Sequence, residues 1–280
     1  MFTLKTRAEW LKAARRLIDA LDARLLLQAV TGQTYAGLMT HPESALSLAE
    51  QERLDALLRR RENGEPLAYL LGSADFYGRR FRVSPAVLTP RPETEELAAL
   101  ALEKLAQFPG KARVLDLGTG SGVLAVTLAL EHRAAELVAV DLSAAALEVA
   151  RANAAALGAP VRFLASDWFD ALADECFHLI VANPPYIAAD DAHLADDGLR
   201  FEPRQALTDE ADGLTAIRAI TAAAPAYLHS GGWLLFEHGW NQGADARALL
   251  SATGFDNAQT WRDLSGQERI SGGQTPACRR

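Results

Sequence analysis

The stretch that decides the fold is Val114-Leu115-Asp116-Leu117-Gly118-Thr119-Gly120-Ser121-Gly122. It begins with an apolar run of the kind that forms buried parallel strands. Its glycines then permit a tight turn and a close approach of the backbone to a ligand. The residues that follow, from Val123 to Leu130, are predicted to form a helix. A strand that leads through a glycine-rich turn into a helix is typical of open α/β sheets, which bind ligands at such turns.

The alternation of strand and helix continues along the chain after this stretch. Further strands are predicted at Leu137–Val140, Val161–Leu164, Leu179–Ala182 and Trp233–Phe236, further helices at Ala144–Leu157 and Leu214–Leu228, and antiparallel edge strands at Ala258–Trp261 and Arg269–Ser271. The pattern predicts an α/β fold in which helices cover both faces of an open, mostly parallel sheet.

The N-terminal part, residues 1–72, is predicted to form a small all-helical domain. Apolar residues recur at helical spacing between Ala8 and Leu25. Ser47 with Glu50 has the form of a capping box at the start of a later helix. Because this domain contains few candidate catalytic groups, we expect it to recognise the substrate.

The two halves of the chain are joined by a stretch of different character. Residues 73–90 contain aromatic and β-branched residues around Gly78, which predicts a β-hairpin linker. The second domain is then expected to comprise residues 91–280.

The whole chain has the composition of a soluble globular protein. Its 280 residues carry a net charge of −8, which argues against broad non-specific binding to DNA or RNA. Cys176 and Cys278 lack the spacing of a metal site, so we expect no bound metal. Neither a secretory signal nor a run of roughly 18 apolar residues is recognisable. We expect a cytoplasmic monomer without a membrane partner.

The glycine spacing bears on the kind of ligand. Dinucleotide-binding turns have the spacing G-x-G-x-x-G, in which the third glycine lets the helix pack below a pyrophosphate. Here the spacing is G-x-G-x-G and residue 123 is valine, which disfavours NAD or FAD. Gly118, Thr119, Gly120, Ser121 and Gly122 are therefore candidates for binding a nucleoside without a pyrophosphate.

Polar and aromatic residues at the ends of the next two strands favour an adenosine-type ligand. Asp141 lies roughly 20 residues past the glycines, where an acid can accept hydrogen bonds from ribose hydroxyls. A helix N-cap is the alternative for Asp141, although Ser143 can cap instead. Asp167 and Trp168 end the third strand, where a carboxylate and an aromatic ring can hold an adenine. Core packing is the alternative for Trp168.

A stiff segment, Asn183-Pro184-Pro185-Tyr186, ends the strand at Leu179–Ala182. The prolines lack an N–H and hold the chain extended, so a row of acceptors lies beside an aromatic ring. Such a row suits a planar NH2 group, although an ordinary exit from strand to loop is the alternative. Arg91 and Glu93 are further candidates for facing the site, and helix initiation is the alternative for the acid.

These motifs resemble the class I methyltransferases that use S-adenosylmethionine (SAM). The resemblance rests on Asp116–Gly122, Asp141, Ser166–Phe169 and Asn183–Tyr186. Three further stretches resemble the protein-(glutamine-N5) methyltransferases of peptide chain release factors, the PrmC/HemK family: Leu88–Glu95, Phe201–Pro203 with Ala206-Leu207, and Glu237–Gly239. The resemblance covers nearly the whole chain, including the helical N-terminal domain.

The resemblance implies a Rossmann-like sheet, SAM as cofactor and class I release factors as protein substrate. It implies that Gly118–Gly122, Asp141, Trp168 and Asn183 contact SAM, and that Asn183–Tyr186 hold the glutamine of a Gly-Gly-Gln motif. We expect Asn183, Pro184 and Tyr186 to be catalytic: two acceptors bind both N–H bonds of the glutamine amide while the phenol packs on its plane.

Three alternative functions stay open at this point. A ribosomal-protein glutamine methyltransferase differs mainly in its N-terminal domain. A DNA adenine-N6 methyltransferase would use the same acceptor row, but no DNA partner is expected from the acidic charge. A non-catalytic SAM-binding partner of the translation machinery would have no use for Asn183–Tyr186. Gly272-Gly273-Gln274, which repeats the substrate tripeptide, is interpreted as a coincidence, and His238 as a structural histidine.

Overall fold

The computed structural model describes residues 5–108, 110–195 and 198–276. The chain divides into two compact units. The first runs from the N-terminus to Ser73 and includes the short stretch that ends at Phe201. The second comprises Ala74 to Ala195 and the chain from Glu202 onwards. Within the described ranges, no helix combines the length and apolar character that crossing a bilayer requires.

The first unit is helical. Its helices are α1 (Arg7–Ala14), α2 (Ala20–Thr31), α3 (Tyr35–Thr40), α4 (Leu48–Glu62) and α5 (Leu67–Leu71). The capping box predicted from Ser47 and Glu50 starts α4, and a second box formed by Thr6 and Glu9 starts α1. Each box satisfies amide groups that a helix start leaves without partners. Large apolar side chains such as Trp10 and Leu54 form the core of this unit.

The second unit contains all the strands of the described chain. Its elements are β1 (Ser73–Phe76), β2 (Arg79–Arg82), α6 (Pro92–Leu105), β3 (Arg113–Leu117), α7 (Val123–Glu131), β4 (Glu136–Asp141), α8 (Ala144–Leu157), β5 (Val161–Ala165), β6 (Phe177–Ala182), α9 (Arg204–Leu207), α10 (Thr215–Ala223), β7 (Leu228–Glu237), α11 (Gly243–Ala252), β8 (Asp256–Arg262) and β9 (Glu268–Gln274). Strand β1 begins one residue before the unit does.

The main sheet has seven strands in the order β5-β4-β3-β6-β7-β9-β8. The pairs from β5 to β7 are parallel, whereas β9 lies antiparallel to both β7 and β8. The predicted α/β class, the parallel sheet and the antiparallel edge strands are confirmed.

Successive residues of the central strands contribute to different apolar cores. Val114 belongs to one buried cluster and Leu115 to another. Leu179 and Ile180 alternate between the same two clusters on β6. Because side chains point to opposite faces of a strand in turn, helices can cover both faces of the sheet. Each fully buried leucine contributes about 1.5–3 kcal/mol to the free energy of unfolding.

The predicted helix Leu214–Leu228 was too long. Helix α10 ends at Ala223, a 3₁₀ turn spans Ala224–Tyr227, and β7 already begins at Leu228. Pro225 accounts for the early end, because it has no N–H to continue the helical hydrogen bonds. The strand is therefore longer than the apolar run from Trp233 to Phe236 indicated.

The predicted hairpin is formed by β1 and β2, and it packs with the second unit. Phe76 and Phe81 are buried in one of the cores of the main sheet. Asn153 on α8 joins the hairpin to the glycine-rich turn: its Oδ1 accepts from the Arg82 N–H at 2.7 Å, and its Nδ2 donates to the Ser121 carbonyl at 2.8 Å. The hairpin therefore supports the turn that the sequence marked as a ligand site.

The Gly-Gly-Gln sequence near the C-terminus has a packing explanation. A Cβ atom at Gly272 would lie 2.5 Å from the Leu234 carbonyl oxygen, and one at Gly273 would lie 2.8 Å from Phe255 Cβ. The Gln274 side chain donates to the Gly231 carbonyl at 2.8 Å. Both glycines thus allow the close approach of β9 to its neighbours, and the tripeptide is a structural part of the sheet.

Candidate active site

A cavity of about 210 Å³ lies at the carboxyl ends of the parallel strands. Its lining includes most of the predicted cofactor residues: Gly118, Thr119, Gly120, Ser121, Asp141, Asp167 and Trp168. Asn183, Pro184, Pro185 and Arg91 line the same cavity. Gly122, Tyr186 and Glu93 are not among the lining residues. The two halves of the predicted site, the nucleoside crevice and the acceptor row, therefore share one space.

Asp116 lies at the floor of this cavity and is 1% exposed. Its Oδ2 accepts from the Thr119 hydroxyl at 2.6 Å and from the Ala125 N–H at 3.2 Å. Its Oδ1 is buried and has no partner within the described structure. Burial, with a smaller contribution from the charge of Asp141, raises the pKa of Asp116 to about 7. A buried acceptor without a partner lowers the free energy of unfolding unless a ligand supplies a hydrogen-bond donor.

Asp141 holds the glycine-rich turn in place. Its Oδ2 accepts from the Gly120 N–H at 2.8 Å, and its Oδ1 accepts from the Ser143 N–H at 2.8 Å. Burial raises the pKa of Asp141. The helix N-cap is Ser143, whose hydroxyl accepts from the Ala146 N–H at 3.2 Å. The capping alternative for Asp141 is therefore excluded, and the carboxylate instead lines the cavity.

A strained turn presents Trp168 to the cavity. Trp168 has a φ of 42°, in the left-handed region that side chains with a Cβ disfavour. The Ser166 hydroxyl supports this conformation, because it donates to the Trp168 carbonyl at 2.9 Å and accepts from the Ala171 N–H at 3.0 Å. The half-buried indole also packs against one apolar core. A Cβ atom at Gly118 would lie 3.7 Å from the indole ring. Trp168 thus packs against the core and also lines the cavity.

Asn183 is tied to residues far away in the sequence. Its Nδ2 donates to Thr94 Oγ1 at 3.2 Å, and Thr94 Oγ1 donates to Glu237 Oε2 at 2.7 Å. The Tyr186 hydroxyl donates to Glu237 Oε1 at 3.0 Å. Burial raises the pKa values of both Glu237 and Tyr186. Tyr186 is therefore held through its hydroxyl beside the cavity, and its predicted packing on a substrate amide stays a prediction.

The loop around Arg91 is fixed by another buried acid, Glu202. Its Oε1 accepts from Arg91 Nη2 at 2.6 Å, and its Oε2 accepts from the Thr89 N–H at 3.1 Å. Pro203 next to it lines the cavity. Glu93 lies in the first turn of α6, and its charge contributes to the raised pKa of Glu237. Arg91 thus faces the cavity, while Glu93 acts electrostatically on the group behind it.

His238 is hydrogen-bonded at both ring nitrogens. Its Nδ1 lies 2.8 Å from the Gly239 carbonyl and its Nε2 lies 2.8 Å from Ser271 Oγ. Because a carbonyl only accepts, Nδ1 carries the proton and Nε2 accepts from the serine. Burial lowers the pKa of His238 and keeps the ring neutral. These contacts describe the structural histidine that the sequence indicated. No cluster of three or more candidate metal ligands occurs in the described ranges.

Sequence reasoning missed several groups that shape the site. Thr94, Glu202 and Glu237 are buried polar residues that lie within the stretches resembling the methyltransferase family, but they were not predicted as site residues. Asp116 had a signal, because it is an acid next to the last residue of an apolar strand, yet it was not predicted to contact the ligand on its own.

Family models match both parts of the chain. A model described as PrmC N-terminal domain matches residues 4–72, and one described as Methyltransferase small domain matches residues 93–197.

Curated relatives match along nearly the full length. A release factor glutamine methyltransferase of Bordetella pertussis is 52% identical and is aligned over 91% of this chain and 95% of its own. One of Burkholderia pseudomallei is 49% identical over 97% of this chain and 96% of its own. The chain belongs to the release factor glutamine methyltransferases. It is therefore a methyltransferase that uses SAM, and the resemblance found from the sequence motifs is confirmed.

Solved structures agree on the fold. A methyltransferase from Pyrococcus furiosus has a TM-score of 0.54 at 15% identity, covering 82% of this chain and 99% of its own. The 16S rRNA N2 G1207 methyltransferase of T. thermophilus, solved with AdoMet and guanosine, has a TM-score of 0.53 at 25% identity, covering 72% of this chain and 49% of its own. Both support a class I methyltransferase sheet.

The residues of the cavity fit SAM chemically. SAM carries an ammonium group, ribose hydroxyls and an adenine ring. The unpartnered Oδ1 of Asp116 needs a hydrogen-bond donor, which an ammonium group provides. Asp141 offers a carboxylate at the adjoining strand end, and Trp168 offers a ring face. Each of these three parts of SAM therefore has a matching group in the cavity.

Proposed function

We propose that the enzyme transfers the methyl group of SAM to the side-chain amide nitrogen, N5, of the glutamine in the Gly-Gly-Gln motif of class I peptide chain release factors. The observation that carries this proposal is that Asn183, Pro184 and Pro185 line the same cavity as Asp141 and Trp168. The shared cavity puts a hydrogen-bonding edge for a planar amide next to a nucleoside site. The names of the relatives supply the substrate class.

The cofactor is held by groups from three strand ends. Asp141 accepts hydrogen bonds from the ribose, while Asp167 and Trp168 hold the adenine. Asp116 accepts from the ammonium group, and Gly118–Ser121 line the cavity between these groups, with Gly122 completing the turn. SAM supplies a methyl group on a positively charged sulfonium, which is a strong electrophile.

The amide of glutamine is a poor nucleophile because its lone pair is delocalised into the carbonyl. Asn183 Oδ1 and the Pro184 carbonyl accept the two N–H bonds, which aims the nitrogen and favours partial loss of its planarity. Pro185 keeps the segment stiff, and Tyr186 borders the amide. Attack of the nitrogen on the methyl carbon breaks the methyl–sulfur bond and leaves S-adenosylhomocysteine, a neutral thioether. The nitrogen proton becomes acidic only as the new bond forms and is released to water, so no strong base is needed before attack. Positioning and electrostatics therefore supply the rate enhancement.

The remaining expectations belong to the same proposal. The N-terminal domain, residues 1–72, recognises the release factor, and the enzyme acts as a monomer in the cytoplasm, where translation terminates. Arg91 borders the substrate side of the cavity, and Glu93, which does not line it, acts on the site through its charge near Glu237. The match of residues 4–72 to an N-terminal domain model of this family supports the role of this domain.

The proposal is tested by methyl transfer from radiolabelled SAM to a purified release factor. We expect one methyl group per chain, located by peptide mass spectrometry on the Gly-Gly-Gln glutamine. A release factor with Gly-Gly-Ala in place of Gly-Gly-Gln is the matched control and should stay unlabelled. Equal labelling of both proteins, or labelling of ribosomal protein alone, would contradict the proposal.

A further inference from the structure

Asn183, Thr94 and Glu237 form one chain of hydrogen bonds, and the first two of these residues line the cavity. Asn183 Nδ2 donates to Thr94 Oγ1 at 3.2 Å, and Thr94 Oγ1 donates to Glu237 Oε2 at 2.7 Å. Thr94 is 3% exposed and Glu237 is 1% exposed. Water therefore has little access to Thr94 and Glu237, whose hydrogen bonds must be made with other protein groups.

The chemistry of these groups fixes the direction of the chain. A threonine hydroxyl has one hydrogen to donate, and a carboxylate has only acceptors. Because Thr94 gives its hydrogen to Glu237, it can only accept from Asn183. The NH2 end of the Asn183 amide must then face Thr94, which leaves the Oδ1 end on the side away from Thr94. Asn183 lines the cavity, so this orientation decides whether an acceptor or a donor meets the substrate.

We propose that Glu237 and Thr94 are positioning residues that set the orientation of the Asn183 amide, so that its oxygen and not its NH2 group meets the substrate amide. The proposal rests on the proposed function, in which the substrate presents two N–H bonds. If the Asn183 amide were rotated by 180°, its NH2 group would face the NH2 group of the substrate. No hydrogen bond would form between them, and the substrate nitrogen would lose its alignment. Neither Thr94 nor Glu237 touches the reacting atoms in this account.

The surroundings of Glu237 determine whether it acts as an acceptor at both oxygens. The Tyr186 hydroxyl donates to Oε1 at 3.0 Å, so both oxygens have a donor. Burial and the charge of Glu93 raise the pKa of Glu237, whereas the two donors and Arg269 lower it. Burial also raises the pKa of Tyr186, which keeps its proton and remains a donor. The direction of the chain requires the ionised carboxylate, because a protonated one could return a hydrogen to Thr94.

The test compares two substitutions at one position. Thr94→Val removes the hydroxyl at nearly constant volume, and Thr94→Ser keeps it. Glu237→Gln is a second perturbation of the chain. Thr221→Val is the matched control, because Thr221 is also fully buried but its hydroxyl donates to the Ile217 carbonyl within α10. Single-turnover methyl transfer to a release factor, SAM affinity by calorimetry and thermal unfolding are measured for each full-length variant.

A spectroscopic readout follows the amide itself. The side-chain NH2 signals of Asn183 are assigned in a ¹H–¹⁵N spectrum as the pair that disappears in Asn183→Ala. In Thr94→Val these signals should move upfield and exchange faster with solvent, because the hydrogen bond to Thr94 is lost. In Thr94→Ser and Thr221→Val they should stay in place. This measurement needs neither SAM nor a substrate.

We expect Thr94→Val and Glu237→Gln to lower the single-turnover rate about 10- to 100-fold. Their SAM affinity should stay within about twofold of the wild type, since neither Thr94 nor Glu237 is among the groups proposed to hold SAM. Thr94→Ser should restore the rate to within about threefold, and Thr221→Val should not change it.

Two results would overturn the proposal. The first is a Thr94→Val enzyme with a normal rate and unmoved Asn183 signals. The second is a Thr94→Ser enzyme as slow as Thr94→Val, with SAM affinity and thermal stability reduced in parallel, which would show a purely structural role. If the wild-type enzyme fails to methylate release factors, the proposed function fails, and the Asn183 signals still decide whether Thr94 orients the amide.

Discussion

The residue that stands out in the cavity is Asp116, a buried acid with one unused oxygen. Two donors satisfy its Oδ2, and Oδ1 has none within the described structure. Its pKa of about 7 lies above the ordinary value of 3.8, so the fold favours the neutral form. The contribution of Asp116 to the free energy of unfolding therefore falls as pH rises from about 4 to about 7, and stays low above pH 7. A cationic ligand would offset this cost.

Asp116→Asn should therefore stabilise the free enzyme and weaken SAM binding. Asparagine keeps an acceptor for Thr119 and Ala125 without a buried charge. At pH 8 we expect the free energy of unfolding to rise by about 1–3 kcal/mol, with the difference shrinking towards pH 5. SAM affinity at pH 8 should fall at least about tenfold, because a charge-assisted hydrogen bond is lost.

Urea unfolding and calorimetry at both pH values check this prediction. An Asp116→Asn enzyme that binds SAM as tightly as the wild type would show that the unused oxygen does not meet the cofactor. A variant less stable than the wild type at pH 8 would contradict the unfavourable burial of the charge.

Single residues also show what the sequence could reveal about the site. Asp141 and Asn183 were predictable because each ends an apolar strand, and the ends of parallel strands meet at one edge of the sheet. Glu237 also ends a strand at this edge, but its partner Thr94 could not be found in this way. Thr94 lies 89 residues from Asn183 and 143 residues from Glu237 along the chain, and only the packing of α6 against the sheet brings them together.

At the scale of elements, the glycine-rich turn is constrained by the helix that packs against it, α8. Gly122 has a φ of 83° and ends the turn at the start of α7. A Cβ atom there would lie 3.1 Å from the Cβ of Ala150 on α8. The third glycine of the turn therefore allows two helices to approach, which explains why Gly122 does not line the cavity. Its predicted contact with SAM stays a prediction.

Two glycine substitutions separate backbone strain from the close packing of Gly122 against α8. Gly158 caps α8 with a φ of 71°, and a Cβ atom there meets nothing within 4 Å. Gly158→Ala should lower the free energy of unfolding by about 1–2 kcal/mol, from backbone strain alone. Gly122→Ala has the same strain and also overpacks against Ala150, so we expect a loss of about 2–4 kcal/mol.

Chemical denaturation measures both losses. Equal losses for the two variants would show that the contact with Ala150 relaxes freely. SAM binding should weaken in Gly122→Ala only, since Gly158 lies at the far end of α8 from the cavity-lining Ala146.

The elements themselves were predictable to different degrees. Strands β3 to β6 are short apolar runs bounded by glycine or polar residues, and helix α8 begins at a serine cap and ends at a glycine, so local patterns sufficed. The end of α10 was missed because Pro225 was not weighed against the apolar periodicity. The path of the hairpin β1–β2 onto the sheet depends on Asn153 and on two buried phenylalanines, which are tertiary contacts without a local signal.

At the scale of the whole molecule, the cavity is built from one unit. All of its lining residues belong to the unit that begins at Ala74, and that unit has its own apolar cores. The helical unit has a separate core around Trp10 and Leu54. SAM binding and protein recognition are therefore expected to be separable.

A fragment of residues 74–280 tests this expectation. We expect it to bind SAM within about threefold of the full-length affinity, because every cavity residue is retained. Methylation of a release factor should fall at least about 100-fold at low substrate concentration, since the recognition domain is missing. Calorimetry measures the SAM affinity of the fragment, and radiolabel transfer measures its methylation of the release factor. A folded fragment that methylates release factors as well as the full chain would contradict the proposed role of residues 1–72.

The measurement that tests the central claim most directly is the comparison of rate and affinity in Asn183→Ala. If the segment Asn183–Tyr186 orients the substrate nitrogen beside the cofactor, single-turnover methyl transfer should fall at least about 100-fold, while the SAM dissociation constant changes less than about threefold. Parallel losses of rate and SAM affinity would instead make Asn183 a cofactor ligand alone, and the proposed chemistry at this segment would be wrong.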